Sequence, residues 1–303
     1  MTTAIVTRNP MADGRLWRSA DGTVTDFHRR MPGYAPTELV DAAALAAELG
    51  LAGLSIKAET LRMGLPSFKI LGASWATYRA ICAHIGHEPA SWETISDVAA
   101  EVAHLVPFTL ATATDGNHGR AVAHMARLLG FSAEIFVPVG MAPARITAIE
   151  DEGATVTIVD GDYDDAVARA AAEAGDRCLV ISDTSWPGYE SVPSNVIQGY
   201  STIFDEIDDQ LATMGRGRPD LVVIPMGVGA FMAAAVAHYR SDDRSVVIVG
   251  VEPLDANCVQ KSMASGELTH VPGPHRSIMV GMNCGLPSAV AWPRLASGVD
   301  WVT

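Results

Sequence analysis

The run Phe108-Thr-Leu-Ala-Thr-Ala-Thr114 breaks at Asp115-Gly-Asn-His-Gly119 and passes into a stretch that ends at Gly130. A short run of apolar and β-branched residues that stops at a glycine turn reads as a strand. The 120–129 stretch, closed by a glycine, reads as a helix. A strand that feeds a helix through a tight turn is the repeating unit of an α/β protein with a parallel sheet. The unit recurs downstream, where strands are predicted over 133–138, 155–159, 178–182, 221–225 and 246–251. Helices over 144–152, 163–174, 192–214 and 230–239 separate them. Upstream, 72–85 and 93–104 read as helices and 54–59 as a strand. Thr37 is placed to cap a helix over 37–49, in which Val40, Ala44, Leu45 and Leu49 recur at helical spacing. Residues 1–36 are polar and turn-rich. Parallel strands joined in this way require right-handed crossovers.

A chain of 303 residues with 49% hydrophobic and 18% charged residues is long enough for two domains that share a cleft. Its formal net charge of −14 argues against a nucleic-acid partner, which needs a basic face. It does not argue against a small anion, because single cations and helix ends act locally. Cys82, Cys178, Cys258 and Cys284 form no Cys-x-x-Cys pair and have no histidine pair at metal spacing, so four reduced, buried thiols and no metal are expected. The 1–12 stretch has no apolar run of signal-peptide length, and no window is long enough to cross a bilayer. A cytoplasmic location is the expectation.

Four places carry candidate chemistry. Gly227-Val-Gly229 follows an apolar strand and precedes an apolar helix, where glycines let backbone N–H groups close on an anion. A tight structural turn explains it equally well. A dinucleotide reading could use Glu252 at the end of the next strand, but the third glycine of that fingerprint falls on Met232. Lys69 lies in Ser67-Phe-Lys-Ile-Leu71, and a lysine in so apolar a setting loses its proton readily and can form an imine. By itself it reads more readily as a snorkelling helix-end lysine. Asp115 can accept a proton or merely cap the helix, Asn117 can donate to an aromatic oxygen, and His118 is expected to bond locally. Asp183 stands at the C-terminal end of a strand, where site residues collect, though a turn-forming aspartate is the plainer reading.

Taken together, Ser67-Phe-Lys69, Asp115-Gly-Asn-His-Gly119 and Gly227-Val-Gly229 resemble the fold-type II pyridoxal phosphate (PLP) enzymes, the tryptophan synthase β-like group. Thr114-Asp-Gly-Asn-His118 and Asp183-Thr-Ser-Trp186 point within that group to the diaminopropionate ammonia-lyase family. The resemblance runs from about residue 27 through Gln198-Gly-Tyr200, Val251-Glu-Pro253 and Ile278-Met-Val-Gly-Met-Asn-Cys-Gly285. It implies two α/β domains with parallel twisted sheets flanked by helices. The smaller would span 58–165, and the larger 1–57 with 166–303. It implies pyridoxal 5'-phosphate as cofactor, held by Lys69 as a Schiff base beside Phe68. Asn117 would bond the ring oxygen, and Gly227, Val228, Gly229 and Ala230 would cradle the phosphate.

Lys69, Asp115 and Asp183 would be catalytic, and the reaction would release ammonia from 2,3-diaminopropionate to give pyruvate. The implied partners are a small amino-acid substrate and a second copy in a homodimer. A serine/threonine-type dehydratase and an inactive PLP-binding relative are the alternatives. Family members continue beyond position 303, and that further stretch brings the partner of the pyridine nitrogen. Pro66 and Ser67 stand where the family often carries Asn and Ala.

Overall fold

The computed structural model describes residues 6–20, 22–241 and 246–303, so the first five residues of the 1–12 stretch lie outside it. In chain order it begins with β1 (Thr7–Arg8), α1 (Thr23–Arg29), β2 (Leu39–Asp41), α2 (Ala43–Glu48), β3 (Ser55–Lys57), α3 (Lys69–Ile85) and α4 (Ile95–Val102). Next come β4 (Thr109–Ala113), α5 (Asn117–Leu129), β5 (Ser132–Pro138), α6 (Pro143–Glu150), β6 (Thr155–Val159), α7 (Tyr163–Ala171) and β7 (Cys178–Val180). The chain continues through α8 (Ser191–Gly199), α9 (Ser201–Thr213), β8 (Leu221–Pro225), α10 (Ala230–Tyr239) and β9 (Val247–Val251). It closes with α11 (Cys258–Ser265), α12 (Trp292–Gly298) and β10 (Trp301–Val302).

The architecture is α/β, with sheets flanked by helices. One sheet has the order β6-β5-β4-β7, and all of its pairings are parallel. The strands are short, and β4 is buried along almost its whole length, as expected of a parallel strand covered on both faces. A second sheet runs β1-β10-β9-β8, parallel except for the antiparallel edge strand β1. Strand β7 completes the first sheet from beyond residue 165.

Three predicted elements come out differently. The helix expected over 37–49 is a strand followed by a short helix, because Leu39, Val40 and Asp41 pair antiparallel with Lys57, Ile56 and Ser55. Helical spacing of a few aliphatics did not outweigh a partner strand later in the chain. The helix expected over 192–214 is two helices that meet at Tyr200. There the hydrogen bonds tighten, with Tyr200 N–H donating to Ile197 O and Ile203 N–H donating to Tyr200 O, each at 3.2 Å. The turn-rich 1–36 region contains α1, which buries Val24, Thr25, Phe27 and His28.

The break at Tyr200 has a packing cause. Helices α3 and α8 cross with two glycines at the contact. A Cβ on Gly72 would lie 2.7 Å from the Tyr200 ring, and a Cβ on Gly199 would lie 2.7 Å from the Gly72 Cα. With no side chain at either position the backbones close together, and the Tyr200 ring is fully buried against the first turn of α3. That first turn begins with Lys69.

Candidate active site

Three turns bring the candidate residues together. The first lies between β4 and α5. Gly116 adopts φ 145°, open to glycine alone, and no side chain caps α5. Thr114, buried at the end of β4, holds the turn instead. Its Oγ1 accepts from Gly116 N–H at 2.9 Å and from Gly119 N–H at 3.0 Å. A Cβ on Gly119 would collide with Thr114 and come within 2.8 Å of Ile135, so the helix start can press on the sheet only as glycine. Asp115 therefore does not cap the helix, and its carboxylate is left over for other work. Its backbone oxygen accepts from Arg145 at 3.0 Å. Asn117 is exposed at the head of α5, and its side chain makes no hydrogen bond among the described residues.

The second turn follows β7. Asp183 is buried, and its Oδ2 accepts from Lys69 Nζ at 2.9 Å. The plainer reading of Asp183, as a loop aspartate, gives way to this ion pair between residues 114 positions apart. His118 Nε2 donates to Ile181 O at 2.7 Å, a bond to a residue 63 positions away instead of the local one expected of it. Its Nδ1 is buried without a hydrogen-bond partner and lies 3.9 Å from Asp183 Oδ2. Tyr189 closes this turn, donating to Val180 O at 2.5 Å and accepting from Ser182 N–H at 3.0 Å, with its ring stacked on Trp186.

The third turn is Gly227-Val-Gly229, between β8 and α10. Gly229 takes φ +90° as the N-cap, no side chain caps the helix, and a Cβ there would strike Leu295. A Cβ on Gly227 would reach the Cys284 sulfur at 3.0 Å and Gly281 O at 3.2 Å. No side chain among the described residues caps the first-turn N–H groups of α10, and uncapped donors at a helix start are suited to an anion. The Phe68 ring lies against Tyr200 and Phe231, with centroids 5.1 and 4.6 Å away.

Electrostatics tie the first two turns together. Burial works against charge on Lys69, yet the Asp183 carboxylate outweighs it and holds the amine well above its usual range. This corrects the expectation of a lysine that sheds its proton readily: desolvation alone would do so, but the carboxylate at hydrogen-bond distance reverses the sign. Burial would raise Asp183, and Lys69 instead holds it well below the carboxylate range. Asp115 is pushed up to about 6, by burial first and then by the Asp183 charge. Glu252 accepts from Val259 N–H and Gln260 N–H, both at 2.8 Å, so its carboxylate caps α11 and is not free for a ribose.

Two groups in this neighbourhood escaped the sequence reading. Cys284, taken for an ordinary thiol, sits against Gly227, and burial pushes it up to about 12 while the Lys69 charge opposes. Tyr163, the first residue of α7, is raised well above its usual value by burial and by the Asp183 and Asp115 carboxylates. Nothing in the local sequence around Tyr163 signals this. Cys284 could have been noticed from its place in the Ile278–Gly285 segment. No group of three or more His, Cys, Asp or Glu suited to a metal occurs among the described residues.

Comparison with known proteins supplies context for this constellation. A family model described as "Pyridoxal-phosphate dependent enzyme" matches residues 30–303. A diaminopropionate ammonia-lyase from Escherichia coli K12 is 37% identical over 275 residues, which is 89% of this chain and 67% of the relative. The crystal structure of holo diaminopropionate ammonia lyase from E. coli superposes with a TM-score of 0.90 at 30% identity, covering 98% of this chain and 76% of the other. The same E. coli enzyme in complex with D-serine gives a TM-score of 0.89 at 31% identity, covering 98% and 76%.

Proposed function

The chain belongs to the pyridoxal-phosphate dependent enzymes and, within them, to the diaminopropionate ammonia-lyase family, and from that premise we propose that it eliminates ammonia from 2,3-diaminopropionate to give pyruvate and ammonia. The observation that carries this reading is the pair of carboxylates, Asp115 and Asp183, gathered around the one amine of Lys69. A diamino acid brings two ammonium groups, and a cleft lined by two carboxylates favours it over a hydroxy amino acid, which brings one.

The residues present fit the cofactor. Lys69 offers the amine. The start of α10, which no side chain caps, with Gly227, Val228, Gly229 and Ala230, offers backbone donors for a phosphate. Asn117 offers an unengaged amide for the ring oxygen. The Tyr200 ring lies beside the lysine amine, with Lys69 Nζ 6.0 Å from its centroid. When bound, pyridoxal phosphate supplies an electron sink for the charge left at the substrate's Cα.

The protein's part is proton placement. Asp183 pairs with the charged Lys69 amine, and that proton must leave before the nitrogen could bond the cofactor's aldehyde carbon. The Lys69 nitrogen, once freed, takes or returns a proton at Cα. Asp115, able to hold a proton near neutrality, serves as base on the opposite side or protonates the departing β-amine. Two acceptors near one carbon would suit a substrate of either hand. Water is thinned by the Phe68, Tyr200 and Phe231 rings, which strengthens each charge interaction.

The cofactor-bound protein should release pyruvate from D- or L-2,3-diaminopropionate and little or none from serine or threonine. Its visible imine absorbance should vanish in Lys69→Ala. Pyruvate from serine alone would favour a dehydratase, and absorbance without turnover would favour an inactive relative.

The division into a smaller unit over 58–165 and a larger one from both flanks is part of this proposal, as are a homodimer and a cytoplasmic setting. Among the described residues, no helix is long and apolar enough to cross a membrane.

A further inference from the structure

We propose that a cavity of about 770 Å³, on the face of α3 turned roughly away from Lys69, is a binding site for a small molecule that carries two or more phosphate or carboxylate groups. Its walls come from the segment around Arg18, from α1, α3, α8, α10 and α12, from the start of α9, and from the loop that carries Glu88 and Trp92. Its lining has the opposite charge to the catalytic cleft. Arg18, Arg30, Arg79 and Arg294 line it, and Glu88 is the one carboxylate among the lining residues. Glu88 is already engaged by Arg79 at 2.6 Å. Three arginines thus face one space without a carboxylate partner among the described residues, in a chain whose net charge is −14.

Arg294 is the most telling of them. Burial lowers its pKa, no neighbouring carboxylate opposes the effect, and its Nε is buried with no hydrogen-bond partner among the described residues. Its guanidinium is held by the Trp17 ring, 4.8 Å from the centroid. Arg30 is held in the same way, over Trp92 at 4.8 Å, with Nη1 donating to Trp92 O at 3.3 Å. Ser201 also lines the space. It is only 5% exposed, and its Oγ lacks a partner.

A partly buried cation without a counter-charge costs stability unless something supplies that charge. Planar guanidinium forks fixed on aromatic rings are preorganised for phosphate and carboxylate oxygens. The volume suits a small organic ligand. The cationic diamino acid of the proposed reaction is repelled here, so this is not a second substrate site.

The test is calorimetric titration of the cofactor-loaded protein, whose phosphate turn is then filled, with inorganic pyrophosphate and separately with citrate at low ionic strength. The expected result is one site per chain for at least one probe, weakened by salt. Arg294→Gln and the exposed Arg18→Gln should each weaken it about tenfold while turnover stays unchanged. The preferred probe distinguishes phosphate from carboxylate ligands. No binding at roughly millimolar probe overturns the proposal, as does binding indifferent to both substitutions. So does a third outcome, in which the substitutions dissociate a dimer and no anion binds. That would mean acidic side chains of a second copy fill the space. Heat of binding is read without turnover, so failure here is separable from failure of the proposed lyase activity.

Discussion

Asp115 is the acid in the site whose ionisation falls within the working range. Burial raises it to about 6, the Asp183 charge adds to the shift, and Arg145 and Lys69 restrain it. Its neutral form is therefore held to a higher pH than that of a free aspartate, and the carboxylate needed for base chemistry appears only as the pH climbs past about 6. Log kcat/KM, which reports the free enzyme, should rise with pH through that region and then level. Asp115→Asn should remove this limb and lower kcat/KM by about 100-fold or more, while cofactor absorbance stays near wild type. A limb that survives the substitution would assign the ionisation elsewhere. Asp183 behaves oppositely: its depressed pKa keeps it charged throughout the same range, so it contributes no limb there. At this scale the sequence showed the residue types but not their pairing. Lys69 and Asp183 are 114 positions apart, and no local pattern announces an ion pair that reverses the effect of burial on the lysine.

At the scale of elements, two glycines let α3 cross α8 closely, and that crossing sets the floor beneath Lys69. Gly72→Ala would place a Cβ 2.7–2.8 Å from the Tyr200 ring and 2.8 Å from Val196 Cγ1, and side chains that well packed cannot simply give way. The expected cost is about 1–3 kcal/mol in urea unfolding. The displaced Tyr200 ring, one turn under Lys69, should lower kcat more than it raises KM. A variant of wild-type stability and turnover would show that the crossing has slack. The same crossing explains which elements were legible. Strands β4 to β9 and the helices between them follow from short apolar runs closed by glycines, because each such signal is local. The break of the 192–214 stretch at Tyr200 was not legible, since its cause is a glycine on another helix. The strand Leu39–Asp41 was missed for the same reason: its stabilising partner, β3, lies beyond any helical window.

Across the whole molecule, one buried ionic cluster fastens the lysine segment to the body of the fold. Arg62 is fully buried; its Nη1 donates to Glu206 Oε1 at 2.6 Å, and it also pairs with Glu59. Lys57 Nζ donates to Glu206 Oε2 at 2.7 Å, and Tyr34 donates to Oε1 at 2.9 Å. Glu206 on α9 thereby joins β3, the N-terminal segment and the turn that leads to Lys69. Glu206→Gln leaves two buried cations with only Glu59 for balance, and a loss of about 3 kcal/mol is expected. Burial opposes ionisation of Glu206, but Arg62 and Lys57 prevail and hold its carboxyl below the usual 4.5. A depressed folded-state pKa means that the contribution is complete above about 4.5 and fades as the pH falls below it. Urea midpoints should therefore converge for wild type and Glu206→Gln on acidification, and diverge again toward neutrality. A gap that stayed constant with pH would mean that the carboxylate's charge does not hold this cluster together, and that the substitution acts through packing alone.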